Sequence, residues 1–186
     1  MPLPPIGPGR LLVATPMLLD ENFWRTVVLI VEHGQEWTLG VVLNRQTEAD
    51  PLGPLPAWAD YVARPASLFI GGPVQPEVAV GLARSRDRLA HPSWTAVMRG
   101  VGLLDLSLSP LEYGTGIEQV RVFAGYAGWG SGQLTEELEE PSWFVVDGLE
   151  DDVFTGRPET LWSDVLRRQR HELALYATFP IDPTAN

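Results

Sequence analysis

The chain has 186 residues, 45% of them apolar, and a formal net charge of −11. These figures suit one globular domain with a sizeable core, and the acidic balance argues against nucleic acid as a partner. There is no Cys and no Lys, all 13 basic residues being Arg, which excludes thiol nucleophiles, disulfides, thiolate metal sites, Schiff-base lysines and phosphate-loop lysines.

Residues 1–9 hold four prolines and two glycines, which predicts a loose arm. A second flexible end is expected at 180–186, leaving a single domain over 10–179. The opening lacks a basic leader, Pro16 breaks the apolar stretch 11–19, and no run reaches the ~18 apolar residues of a membrane span. The expected location is the cytoplasm, with no membrane partner.

Residues 11–14 read as a strand. Thr15-Pro16 then offers a helix cap with Pro at a first helical position, and 20–24 a short turn or helix. TVVLIVE at 26–32 and WTLGVVLN at 37–44 predict a hairpin with a four-residue loop, 33–36. Both runs are almost continuously apolar, so both should be buried on two faces. A short helix is expected near 55–62. Strands are expected at 67–70, 78–83, 95–98, 101–106, 119–127 and 143–146, with Gly71-Gly72-Pro73 as a turn and 84–92 as a polar loop. A short acidic helix is expected at 133–139. The longest helix should run from Pro158 to about Tyr176, with Leu161, Trp162, Val165 and Leu166 as its apolar stripe. Many strands, few helices and mixed order give an α+β fold, a curled sheet with helices at its periphery.

Residues 125–133 (GYAGWGSGQ) join the expected strand to the short helix as a Gly-aromatic loop. Glycines free the backbone for positive φ and close approach, and a glycine loop opening a helix can bind anions. It is not the dinucleotide fingerprint, because Gln133 stands where the third glycine belongs. Ser131 lacks the glycine two residues upstream that a nucleophile elbow needs. His33, His91 and His171 lie far apart in sequence, and the stretch at His171 lacks the second histidine of a zinc helix. Ordinary surface or capping roles are expected for all three. The acidic stretch Asp147, Glu150, Asp151, Asp152 does not match a calcium loop and reads as solvated turn residues. Arg84, Arg86 and Arg88 should form a solvated strand edge. Arg167, Arg168 and Arg170 sit late in the long helix, where cations complement the dipole. Asn44-Arg45 closes the apolar hairpin, where a polar pair can point into a cleft.

Several segments, in this order, resemble the YqgE/AlgH family of bacterial proteins, also called UPF0301 or DUF179. They are Ala14-Thr15-Pro16-Met17 with Asp20 and Phe23, residues 27–33, residues 40–45, Gly71-Gly72-Pro73-Val74, Arg121, residues 125–134, Glu137-Leu138, Trp143 and Leu161-Trp162. The resemblance implies a single α+β domain with a branched mixed sheet folded into a pseudo-barrel. It brings no established reaction, only an association with alginate production and a label of transcriptional regulator without a recognisable DNA-binding motif. Gln46 departs from the usual Pro after Asn-Arg, and Val31 stands where a Cys often occurs, against a family-wide thiol mechanism.

The expected function is a non-enzymatic binding or regulatory protein receiving an unknown small ligand or protein partner. The candidate binding residues are Asn44, Arg45, Gly125, Tyr126, Gly128, Trp129, Gly130 and Gln133. No catalytic residue, metal ligand or cofactor is assigned. The alternatives are an enzyme using Arg45, Arg121 or a carboxylate in a cleft beside the loop, and a DNA-associated regulator.

Overall fold

The computed structural model describes residues 5–180 except Leu52, Asp87 and His171. Its strands are β1 (Arg10–Ala14), β2 (Val27–His33), β3 (Trp37–Val42), β4 (Phe69–Ile70), β5 (Val74–Ser85), β6 (Trp94–Met98), β7 (Val101–Leu104), β8 (Ile117–Gly130) and β9 (Trp143–Asp147). They form one sheet in the order β6-β7-β5-β8-β3-β2-β1-β9, with β4 lying parallel to β8 off that path. The remaining pairings are antiparallel, and the sheet curls into a half-barrel that brings β6 back beside β2.

The hairpin is as its pattern predicts, and the reason for its continuous apolarity is visible. Leu11, Val13, Val27 and Leu29 face an inner core closed by the helix α3 (Leu161–Arg167) through Leu161, Trp162, Val165 and Leu166. Their neighbours Leu12, Ala14, Val28 and Ile30 face an outer core closed by α1 (Gln133–Glu139) through Leu134 and Leu138. With both faces of β1 and β2 buried, period-two alternation is lost. Each such aliphatic side chain contributes roughly 1.5–3 kcal/mol by leaving water. A third cluster gathers Trp58, Tyr113, Val120 and Val122 around the 3-10 helix Pro56–Tyr61, which stands where a short helix is expected.

The sheet branches at β8. Val80 to Ala83 of β5 pair with Val120 to Phe123, while Trp37 to Gly40 of β3 pair with Ala127 to Gly130. Between these, β3 and β8 diverge, and the end of β4 fills the wedge. Gly71 accepts from the Val42 amide at 2.8 Å and donates to the Ala124 carbonyl at 2.8 Å. Gly125 occupies the branch point with φ +70, and a Cβ there would lie 2.7 Å from the Gly72 carbonyl oxygen.

Several expectations need correction. The strand expected at 119–127 runs on to Gly130, so residues 128–130 are not a loop but the end of the 14-residue strand β8. The segment 158–176 is not one helix. A 3-10 turn, Pro158–Thr160, leads into α3, and a separate α4 covers Glu172–Tyr176. The break falls at Arg168, whose guanidinium reaches sideways to Asp152 of α2 (Glu150–Val153) and to the Asp147 carbonyl while its backbone N–H caps α3. Thr15 is no helix cap: it is buried and donates to the Pro141 carbonyl. The proline-rich arm is tied down from Ile6, which packs on the outer core, to Gly9, whose amide donates to Ile30 at 2.9 Å. The reading of His171 lies outside the described residues. Among the described residues, no helix is long and apolar enough to cross a membrane.

Candidate functional site

Asp147 and Asp151 of the acidic stretch are solvated as expected, with side chains 83% and 91% exposed, while Asp152 is buried, and all four carboxylates meet arginines. Asp147 pairs with Arg10, Glu150 and Asp151 with Arg84, and Asp152 with Arg168. Arg84 lies on β5, largely covered, with its guanidinium 4.9 Å from the Phe154 ring centroid. The basic cluster is therefore divided: Arg84 and Arg86 form ion pairs, and Arg88 has no acidic partner among the described residues. His33 and His91 have the local roles expected: Nδ1 of His33 meets Thr38 Oγ1 at 2.8 Å, and Nδ1 of His91 accepts the Ser93 amide at 3.1 Å. Among the described residues, no group of three or more His, Asp or Glu could hold a metal ion.

The Gly-aromatic half of the candidate set is a corner built on Glu137 of α1. Its Oε2 accepts the indole N–H of Trp129 and of Trp143, each at 2.9 Å, and its Oε1 accepts from Gln133 at 3.0 Å. Gln133 in turn accepts the Gly130 amide at 3.1 Å. Phe23 completes the cluster, 5.5 Å from Trp143 and 6.2 Å from Trp129 between centroids. Trp129 is 3% exposed, so its indole is core rather than a surface for ligands. Gly130 lines only a shallow cleft of about 100 Å³ beside His33 and Trp37. At about 3.3 Å per strand residue, Gly125 and Gly130 lie roughly 16 Å apart, too far to share one small ligand.

The Asn44-Arg45 half is different. The Asn44 carboxamide accepts the Val27 amide and donates to the Arg25 carbonyl, both at 2.9 Å. Arg45 donates to the carbonyls of Trp24 at 2.8 Å and Glu21 at 3.4 Å. The pair thus grips the turn 21–25 where it enters β2. At that point Arg25 has φ +52, a left-handed conformation costly for a residue with a Cβ. It places the Arg25 guanidinium 3.9 Å from the Trp162 ring centroid, with Trp24 on a second side at 5.9 Å. Burial lowers the pKa of both Arg25 and Arg45, because a partly desolvated guanidinium loses hydration of its charge.

Two clefts meet at Arg45. One, of about 230 Å³, is lined by Trp24, Arg25, Asn44, Arg45, Trp162 and Ser163, with the exposed Glu159 at its rim. The other, of about 250 Å³, is lined by Glu21, Asn22, Arg45, Ile70, Gly72 and Pro73. The Tyr126 backbone lies directly behind Gly72, where a Cβ would approach within 2.2 Å. The structure therefore brings Asn44, Arg45, Gly125 and Tyr126 to one region, leaves Gly128 outside both clefts, and assigns Trp129, Gly130 and Gln133 to the corner. Sequence reasoning missed Trp24, Arg25 and Trp162 as cleft residues. The one available signal was an arginine immediately before a buried apolar run; nothing links positions 25 and 162 in sequence.

Arg121, offered as an enzymatic candidate, is 1% exposed and serves the fold. Its guanidinium donates to the carbonyls of Val153 and Thr155 at 3.0 Å each and Arg64 at 2.6 Å, and stands 4.6 Å from the Phe69 ring centroid.

Comparison with known proteins agrees with this architecture. The AlgH-like family model, DUF179, matches residues 11–174. A UPF0301 protein of Streptomyces avermitilis is 49% identical over 183 residues, covering 96% of this chain and 94% of its own. A crystal structure of a Corynebacterium diphtheriae protein superposes with a TM-score of 0.90 at 34% identity, covering 96% of this chain and 95% of that one. The solution structure of the AlgH protein from Pseudomonas aeruginosa gives a TM-score of 0.67 at 26% identity, covering 96% and 97%. The chain belongs to the AlgH-like, UPF0301 family, whose function is uncharacterised.

Proposed function

We propose that this member of the AlgH-like family is a binding protein without chemistry of its own, and that its site is the corner of Trp24, Arg25, Asn44, Arg45 and Trp162. The ligand is a small anion, a carboxylate or phosphate, bound to two guanidinium groups. One observation carries the reading: the strained Arg25 backbone is held by the Asn44 side chain so that its guanidinium sits over Trp162. Strain of this kind persists where the surroundings over-determine it, and it collects at ligand sites. Among the described residues, neither Arg25 nor Arg45 is ion-paired to a carboxylate, and both line a cleft. Guanidinium groups match carboxylate and phosphate oxygens through paired N–H donors. With a net charge of −11, the protein is suited to a small anion rather than a long phosphate backbone.

A thermal-shift screen of carboxylates and phosphorylated metabolites, followed by calorimetry, tests this. A ligand at 100 times its Kd stabilises by about 2.7 kcal/mol. The gain should disappear in Arg25→Gln and Arg45→Gln. If no anion shifts the melting transition, or the shift survives both substitutions, the assignment fails.

A further inference from the structure

We propose a second, independent site on the β5–β7 half of the sheet that binds a nucleoside polyphosphate, its base against Trp94 and its phosphates on Arg88 and Arg99. A cavity of about 660 Å³ opens there, within the size range of sites for small molecules. The β6–β7 hairpin turns at Arg99-Gly100, with Gly100 at φ +76, and puts Arg99 on the rim. Arg88 approaches from the chain leaving β5. Met98 and Trp94 supply apolar wall. The indole of Trp94 rests on Gly102 of β7, where a Cβ would come within 2.5 Å of its ring.

The charges decide what such a cavity holds. Two carboxylates line it, and each has a guanidinium partner: Glu118 pairs with Arg86 at 2.6 Å, and Glu150 with Arg84 at 2.6 Å, a cation that Asp151 shares at 2.8 Å. Arg88 and Arg99 have no acidic partner among the described residues. Two uncompensated guanidiniums beside an indole match a phosphate chain joined to a planar ring: the first through charge-assisted hydrogen bonds, the second through stacking. A long nucleic acid carries the same chemistry, but the net charge of −11 repels it.

The experiment is calorimetric titration of the full chain with ATP, GTP, inorganic triphosphate and a short single-stranded oligonucleotide. A nucleoside triphosphate should bind saturably. Arg88→Ala and Arg99→Ala, both at exposed positions, should each weaken it about tenfold. Trp94→Leu should weaken the nucleotide about tenfold and leave inorganic triphosphate unchanged, while Trp94→Phe retains binding. Arg45→Gln should leave the Trp94-dependent component of nucleotide binding unchanged, which separates this site from the Arg25/Arg45 corner, where a phosphate group can also bind. Absence of saturable binding overturns the proposal. So does triphosphate binding as tightly as nucleotide, tighter binding of the oligonucleotide, or loss of nucleotide binding in Arg45→Gln.

Discussion

Trp129 donates its indole N–H to Glu137 at 2.9 Å, tying the end of the long strand β8 to the second turn of α1. The same carboxylate oxygen takes the indole of Trp143 from β9, an edge strand of the sheet. A single side chain therefore fixes the angle at which strand, helix and edge strand meet.

Glu137→Ala should cost about 1–3 kcal/mol, because two indole donors lose their acceptor in a largely buried cluster. Glu137→Gln keeps a carbonyl acceptor and should cost less. Urea unfolding gives both numbers, and near-UV circular dichroism reports the tryptophan cluster. A loss below about 0.5 kcal/mol for the alanine variant would mean that water replaces the carboxylate without penalty.

The glycines of GYAGWG should separate into one that the fold requires and two that it does not. Gly125 has φ +70, and a Cβ there meets the carbonyl oxygens of Gly72 at 2.7 Å and Val74 at 2.8 Å. Gly125→Ala should lose about 3 kcal/mol from backbone strain and overpacking together. Gly130 faces open space and Gly128 only ordinary contacts. Alanine at either should change stability by no more than about 1 kcal/mol, in the stabilising direction if the unfolded chain loses entropy. Equal losses at 125 and 130 would sink the distinction.

The hairpin, the α+β class and the short acidic helix were legible because their signals are local: β-branched runs, a turn, an N-terminal glycine. The Gly-aromatic stretch was misread as a loop for a physical reason. Glycine weakens a strand in isolation, but here it lets β8 change partners from β5 to β3 while β4 wedges in between. That need is set by chains some fifty to ninety residues away in sequence, such as Gly40 and Gly71. The expected helix from Pro158 to about Tyr176 breaks at Arg168 because the Asp152 that draws Arg168 aside lies on a different element. Of the candidate site, Asn44-Arg45 was found as a polar pair ending an apolar strand. Its partners Arg25 and Trp162 meet only in three dimensions.

Arg121 should be a fixed charge over the physiological range. Burial lowers its pKa to about 10, well below the ordinary guanidinium value. A base with a folded pKa below its unfolded one carries its desolvation cost at every pH under the folded value, and the cost eases only as pH rises past about 10. Between about pH 6 and 9, then, the stability difference between the wild type and Arg121→Met should be constant. That difference should be about 3 kcal/mol, since three carbonyls lose their donor in the interior. Denaturant titrations across this range check both statements; a slope with pH would assign the guanidinium a titrating role that its cage of carbonyls does not supply.

Asn44 should matter to stability and to binding by separable routes. Its carbonyl oxygen serves the fully buried Val27 amide, and its NH2 serves the Arg25 carbonyl that holds the left-handed turn. Asn44→Ala removes both bonds and should cost about 2 kcal/mol. Asn44→Asp keeps an acceptor for Val27 but offers no donor to Arg25, so it should recover part of that stability. It should also release Arg25, whose φ of +52 is unfavourable without the clamp. The guanidinium is then held only by its bonds to the Phe179 carbonyl at 3.0 Å and the Pro180 carbonyl at 3.3 Å, and anion affinity at the corner should fall toward that of Arg25→Gln. Unfolding midpoints and calorimetric titration of Asn44→Asp, read side by side, make the check. Full anion affinity in that variant would show that Arg25 reaches its place over Trp162 unaided, and that Asn44 acts on the fold alone.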